Sequence, residues 1–143
     1  MISNRSAPPG PIVPVLTYRD VQYAISWLTN AFGFRERLRT PPEPDGTIHH
    51  AQMAVGDGAI ILTGQGVEEP EKAGQRVLVR VENVNAHFEH AKAFGARILR
   101  APIDCAFGEK QYTAQDLAGN EWTFSQSIED VEPEAWGARR PVR

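Results

Sequence analysis

The chain has 143 residues, 41% of them hydrophobic and 23% charged, with a formal net charge of −3, a composition that suits one globular domain or two very small modules and excludes large multidomain machinery. Slight acidity without any block of like charge argues against a nucleic-acid binder, whose footprint would be a basic face. A single cysteine, Cys105, excludes an intramolecular disulfide framework and any cysteine-built metal cluster.

Pro8, Pro9, Pro11 and Pro14 make residues 1–11 an extended, flexible arm without the apolar core of a secretory signal. Ile12 to Tyr18 then reads as a strand. Asp20 is a helix N-cap, and Val21, Ala24, Ile25, Leu28 and Phe32 recur at helical spacing up to Gly33, a good C-terminal residue. Phe34 to Arg39 reads as a strand ended by Pro41-Pro42. His49, Ala51, Met53 and Val55 alternate with His50, Gln52 and Ala54, and Gly56-Asp57-Gly58 turns tightly into a strand over Ala59 to Thr63. Ala51 to Leu62 is the longest uncharged apolar stretch apart from Asp57 and is broken by Gln52, Gly56 and Gly58, well short of the roughly 20 apolar residues of a membrane span. A cytoplasmic location with no membrane or nucleic-acid partner is expected.

The first half, residues 12–64, thus reads βαβββ, and residues 65–75, polar and acidic, read as a connector. Residues 76–127 repeat the pattern. Arg76 to Val81 alternates as a strand, Asn83 caps a helix through Val84, Phe88, Ala91 and Phe94, and Gly95 ends it. Strands over Ile98 to Ala101, Lys110 to Ala114 and Glu121 to Ser125 follow, the last two joined by an Asp116-to-Asn120 turn, and residues 128–143 form a polar tail with Trp136. Asp20 and Asn83 lie 63 apart and Gly33 and Gly95 lie 62 apart, so cap, helix length and terminal glycine recur in register. The chain is a duplicated module.

On this frame Leu16 to Val21, Ala31-Phe32-Gly33-Phe34, Val55 to Gly58, Val79 to Val84, Ala93 to Ala96 and Asp116 to Phe124 resemble the vicinal oxygen chelate superfamily, which includes glyoxalase I, bleomycin-resistance proteins, fosfomycin-resistance enzymes and extradiol dioxygenases. The resemblance covers residues 12 to 127. It implies an α+β fold in which two tandem βαβββ modules form a curved mixed sheet around a ligand cleft, with both helices on the convex side. It also implies a homodimer, assembled side by side or by exchanging modules. Catalytic members hold a divalent metal with His and Glu from the first and last strands of each module. Counting seven back from Asp20 and Asn83 places two of those positions at Val13 and Arg76, and four on from Gly119 places a third at Thr123, equivalent to Ile61 in the first module. These residues supply no convergent donor set. A site without metal or cofactor is expected.

Alternation then lines the cleft with Val13, Val15, Thr17, Ile61, Arg76, Arg80, Glu121, Thr123 and Ser125, leaving Val77, Val79, Val81, Trp122 and Phe124 for the helix side. Arg76 and Arg80 can clamp a carboxylate or phosphate through paired donors; the competing reading is that Arg80 pairs with Glu121 on a wet sheet face. Glu121 and His50 are the candidate catalytic groups, although an arginine beside Glu121 would lower its pKa and weaken it as a base. His50 shares the concave face with Gln52. Tyr112 is the aromatic placed nearest a ligand, with Gln111 as the alternative that alternation leaves open. His87 and His90 read as a solvated helix face, and Tyr23 with Trp27 as a surface or dimer patch. The arm and Trp136 either embrace a partner subunit or stay mobile. Three functions compete: a metal-free protein that sequesters a small anionic or aromatic ligand; a metal-dependent lyase, isomerase or dioxygenase using displaced ligands such as His50, Gln52 and Glu121; and a protein-interaction domain.

Overall fold

In the computed structural model, residues 4–10, 12–64, 76–138 and 140 are described; the expected connector, residues 65–75, lies outside them. The order is β1 (Val15–Thr17), α1 (Val21–Phe32), β2 (Arg35–Arg39), β3 (His50–Val55), β4 (Gly58–Thr63), then β5 (Arg76–Arg80), α2 (Val84–Phe94), β6 (Arg97–Asp104), β7 (Glu109–Gln115) and β8 (Glu121–Ser127), with a short 3-10 turn over Pro133–Trp136. Both halves are therefore βαβββ. The helices start and stop by the same local chemistry: the Asp20 carboxylate accepts the Tyr23 N–H at 2.9 Å and the Asn83 amide oxygen accepts the Ala86 N–H at 3.0 Å, while Gly33 and Gly95 close them at φ +77° and +109°, where a side chain would be strained. No helix of the described residues is long and apolar enough to cross a membrane.

The strands form two four-stranded sheets, ordered β1-β4-β3-β2 and β5-β8-β7-β6. In each, the first strand runs parallel to the last and the other pairs are antiparallel. Val15 pairs with Ile61 in one sheet and Leu78 with Thr123 in the other, so the repeat extends to the register. β1 is shorter than the expected Ile12–Tyr18 because Pro14 has no N–H to give the ladder; its carbonyl still accepts the Ile61 N–H at 2.9 Å.

One core joins the modules through their helix-bearing faces. Phe32, the last residue of α1, lies 4.9 Å from Phe124 of β8 between ring centroids, and Phe34 lies 5.2 Å from Trp122. Trp27 packs edge-on against Phe32 and against Phe94 of α2, so it belongs to this seam rather than to a surface patch, whereas Tyr23 is exposed. The expectation of a solvated histidine face on α2 is corrected for His87, which is half-buried with Nε2 3.0 Å from the Phe32 carbonyl; His90 is exposed, with Nε2 2.8 Å from the Asn30 carbonyl. These carbonyls are among the last four of α1, which have no partner within their own helix. At the other end of the seam the Tyr18 hydroxyl donates to Asp116 Oδ2 at 2.7 Å. Because both helix-bearing faces turn inward to one core, the opposite face of each sheet points outward, away from that core.

Described residues near both ends of the chain contact the modules. Trp136 stacks edge-on against Phe107, with 5.6 Å between centroids. Arg5 and Ser6 of the arm offer backbone carbonyls to Arg37 and Gln52 on the outward face of the first sheet.

Candidate functional site

The pairings decide which residues share the outward face of the second module. Arg76 stands opposite Glu121, Leu78 opposite Thr123 and Arg80 opposite Ser125; Thr113 and Gln111 stand opposite Thr123 and Ser125 from β7, and Arg97 and Arg100 join from β6. The middle of this face is a polar floor. Thr113 and Thr123 share a hydrogen bond at 2.9 Å, Gln111 donates to Ser125 Oγ at 3.4 Å, and Ser125 in turn donates to the Glu109 carboxylate. Thr123 is 2% exposed and Ser125 fully buried. Burying such groups is tolerable only when each has a partner, and every one of them does.

Four arginines, Arg76, Arg80, Arg97 and Arg100, stand exposed around that floor. Among the described residues none of them forms an ion pair. The reading in which Arg80 pairs with Glu121 does not hold, since Glu121 lies across from Arg76, one side chain pair further along the ladder than Leu78 and two from Arg80.

The outward face of the first module has a different character. Val15, Ile61, Ala59 and Ala54 make its centre apolar, with Thr17 and His50 both beside Thr63 at one end. Gln52 shares the face, but its carboxamide is engaged: it donates to the Ser6 carbonyl at 3.0 Å and accepts from the Arg37 guanidinium. His50 is half-buried on the same face, as alternation predicts, while His49 turns to the loop side with its ring 3.9 Å from Glu43.

Of the expected site residues, Thr123, Arg76, Arg80 and Glu121 come together on the second sheet, and Thr17, His50 and Gln52 on the first. Tyr112 does not belong to the site. It is fully buried on the helix side, hydrogen-bonded to His87 and stacked on Phe124 at 5.2 Å, and burial pushes its phenol above the usual range. The chain folds back about the Asp116–Asn120 turn so that Gln115 meets Glu121, which puts Gln111 on the face of Ser125 and Tyr112 on the other. That turn was visible in the sequence and could have decided between the two. Gln111, the alternative that alternation left open, takes that place on the face, and Glu109, Thr113, Leu78, Arg97 and Arg100 are residues of this face that single-strand alternation missed; the fold-back places those on β7.

The hydrogen bonds fix the state of the buried pair behind the floor. His87 Nε2 faces a carbonyl and must carry the proton, so Nδ1 accepts from the Tyr112 hydroxyl. Burial, the largest influence, holds the imidazole pKa below its ordinary value, and His90 adds to this while the Phe32 carbonyl opposes it.

The residues present do not fit the metal that catalytic relatives of the resembling superfamily carry. The positions that the resemblance implies for its ligands, counted along the chain, hold Val13, Ile61, Arg76 and Thr123, and among the described residues no three His, Cys, Asp or Glu side chains group as a divalent cation requires. The displaced set His50, Gln52 and Glu121 is divided between two different sheets.

Comparison with known proteins agrees with this architecture. TioX from Micromonospora sp. ML1 superposes with a TM-score of 0.70 at 32% identity, covering 86% of this chain and 100% of that one. The fosfomycin resistance protein FosX of Listeria monocytogenes superposes at 0.64 with 16% identity over 88% of this chain and 94% of its own, a likeness of fold alone. In sequence, the uncharacterized protein Rv0887c of Mycobacterium tuberculosis is 27% identical over 128 residues, covering 82% of this chain and 75% of that protein. Residues 11–124 match the family model of the Glyoxalase/Bleomycin resistance protein/Dioxygenase superfamily, and the chain belongs to that superfamily.

Proposed function

We propose that this protein is a metal-free binding protein that sequesters a small ligand, and that it works as a homodimer. The observation that carries the reading is the donor set: where a divalent metal would sit stand Val13, Ile61, Arg76 and Thr123, while the second module presents a hydrogen-bonded polar floor ringed by arginines. Such a surface is built to hold a molecule and offers no Lewis acid of its own to transform one.

The dimer follows from the same geometry. Within one chain the two outward faces do not face each other, so neither has an opposite wall. Among the described residues β1 and β5 are open sheet edges, and Val15 and Leu78 on them are 58% and 50% exposed. Unpaired edges bearing apolar side chains call for a cover. A second copy that brings its β5 beside β1 covers both edges, and its two-fold symmetry makes two identical clefts, each walled by the first module of one copy and the second module of the other.

Elemental analysis of untagged protein purified without chelators, combined with sedimentation at micromolar concentration, tests the proposal. Near-zero metal and a dimer are expected. About one transition metal per chain would instead restore a metal-dependent lyase, isomerase or dioxygenase, with His50 and Glu121 first for mutation. A monomer would remove the composite cleft.

A further inference from the structure

We infer that the cleft takes an amphipathic organic anion: an apolar body lying against Val15 and Ile61 of the first module, with a carboxylate or phosphate group held by Arg76 and Arg80 of β5. This deepens the binding function proposed above and rests on it. The outward face of the second module carries Arg76, Arg80, Arg97 and Arg100 against Glu109 and Glu121, and Glu109 already receives the Ser125 hydroxyl. The outward face of the first adds Arg35 and Arg37, and none of its described strand positions is acidic. Arginines outnumber carboxylates here in a chain whose net charge is −3.

Like charges in excess of their counter-charges raise the potential of a surface, and a low-dielectric wall beside them concentrates that field on what enters the cleft. A cation is repelled, and a neutral molecule gains nothing from it. The guanidinium fork matches two oxygens of a carboxylate or phosphate. Arg76 and Arg80 are four residues apart on one strand, about 13 Å at the usual strand rise, and they bracket the exposed Leu78, so the anionic end lies beside apolar contact. The opposite wall, Val15, Ile61, Ala59 and Ala54, has little to hydrogen-bond with and suits an aromatic or alkyl body. Across from it Gln111 and Thr113, each 7% exposed at the floor, can meet polar substituents.

The test uses four naphthyl probes of one shape: 2-naphthoate, 2-naphthyl phosphate, 2-naphthamide and 2-naphthylmethylammonium, titrated calorimetrically at low salt against the intact dimer. One or both anions should bind at least about tenfold tighter than the amide, the weight of one charge-assisted hydrogen bond, and which anion prevails identifies the head group. Arg76→Gln or Arg80→Gln should reduce that preference about tenfold, while Lys92→Gln, which removes one positive charge on α2, should leave it unchanged. Both arginines are exposed, so the variants retain the fold, and their melting curves check this. Equal binding of the amide or the ammonium probe, or an anion preference that survives both arginine substitutions, overturns the inference and leaves the binding function standing. Failure of all four probes to bind counts against both.

Discussion

Replacing Tyr18 by phenylalanine takes one hydroxyl out of the seam between the modules, and the surroundings of Asp116 determine the cost. The Asp116 carboxylate is buried and accepts five hydrogen bonds: from Tyr18 at 2.7 Å, from Trp122 Nε1 at 3.0 Å, from the Asn120 side chain at 3.3 Å, and from the backbone N–H groups of Ala118 and Asn120 at 2.9 and 3.0 Å. Tyr18→Phe leaves four of these in place and deletes a single bond to a charged group, worth about 1.5–3 kcal/mol. For a chain of this length that lowers Tm by about 5–10 °C. Asp116→Ala is the harsher change, because it strands the Tyr18 hydroxyl and the Trp122 indole N–H in the core, at about 1–3 kcal/mol each, and also loosens the β7–β8 turn. Urea denaturation at fixed protein concentration, followed by tryptophan fluorescence, measures both single variants and the double variant. Tyr18→Phe should cost almost nothing once Asp116 is gone. A Tyr18→Phe variant within about 0.5 kcal/mol of wild type, the range of a neutral surface change, or strictly additive effects in the cycle, would refute the view that this bond ties the modules together.

Three further outcomes follow from the same core. Burial first, and then the negative charge of Asp116, hold the Tyr18 phenol well above its ordinary value, and burial raises Tyr112; the stability they contribute is whole below about pH 10, the unfolded phenol value, and is lost as pH rises beyond it. Tyr18→Phe should therefore flatten the alkaline limb of a stability profile, and an unchanged limb would exclude that origin. His87 behaves in the opposite sense: with its folded pKa depressed by burial, the unfolded chain binds more protons, so its stabilisation is complete above about pH 6.5 and falls as the solution is acidified. His87→Gln should shallow the decline in urea midpoint between neutral and mildly acidic pH, and parallel declines would contradict the assignment. Gly108 sits at φ +85° with an added Cβ only 2.3 Å from the Glu129 carbonyl oxygen, so Gly108→Ala should cost about 2 kcal/mol or more and free the tail, whose Ile128 and Glu129 N–H groups bond the Gly108 carbonyl. Faster proteolytic cleavage after residue 127 would show this; wild-type resistance would not be compatible with it.

Much of the local architecture around the candidate site is legible in the sequence. The two caps, the two closing glycines and their common offset are local chemistry, and they place Asp20, Asn83, Gly33 and Gly95 as the structure has them. Alternation is also local, so Arg76, Arg80, Glu121 and Thr123 fall on one face as expected. It failed at Tyr112 because a strand taken alone has two equivalent faces. The choice between them is made by the neighbouring strand, through the fold-back that pairs Gln111 with Ser125. The reading failed at His87 for a related reason: helical spacing describes a face but not what that face meets, and here it meets a carbonyl at the end of α1, while His90 stays exposed beside another.

By itself, then, the sequence determined the two modules, the starts and ends of their helices and the alternation along each strand, since all of these depend on neighbours a few residues away, whereas partners such as Val15 with Ile61 and Arg76 with Glu121 lie far apart along the chain. Only the tertiary structure decided how one module faces the other. Phe32, Trp122 and Phe124 read as core residues in the sequence whether the sheets meet edge to edge or through their helices, because hydrophobicity records burial and not the direction of the partner. Their actual contacts across the seam, with Tyr18 on Asp116 and His87 on the Phe32 carbonyl, turn the two outward faces away from each other.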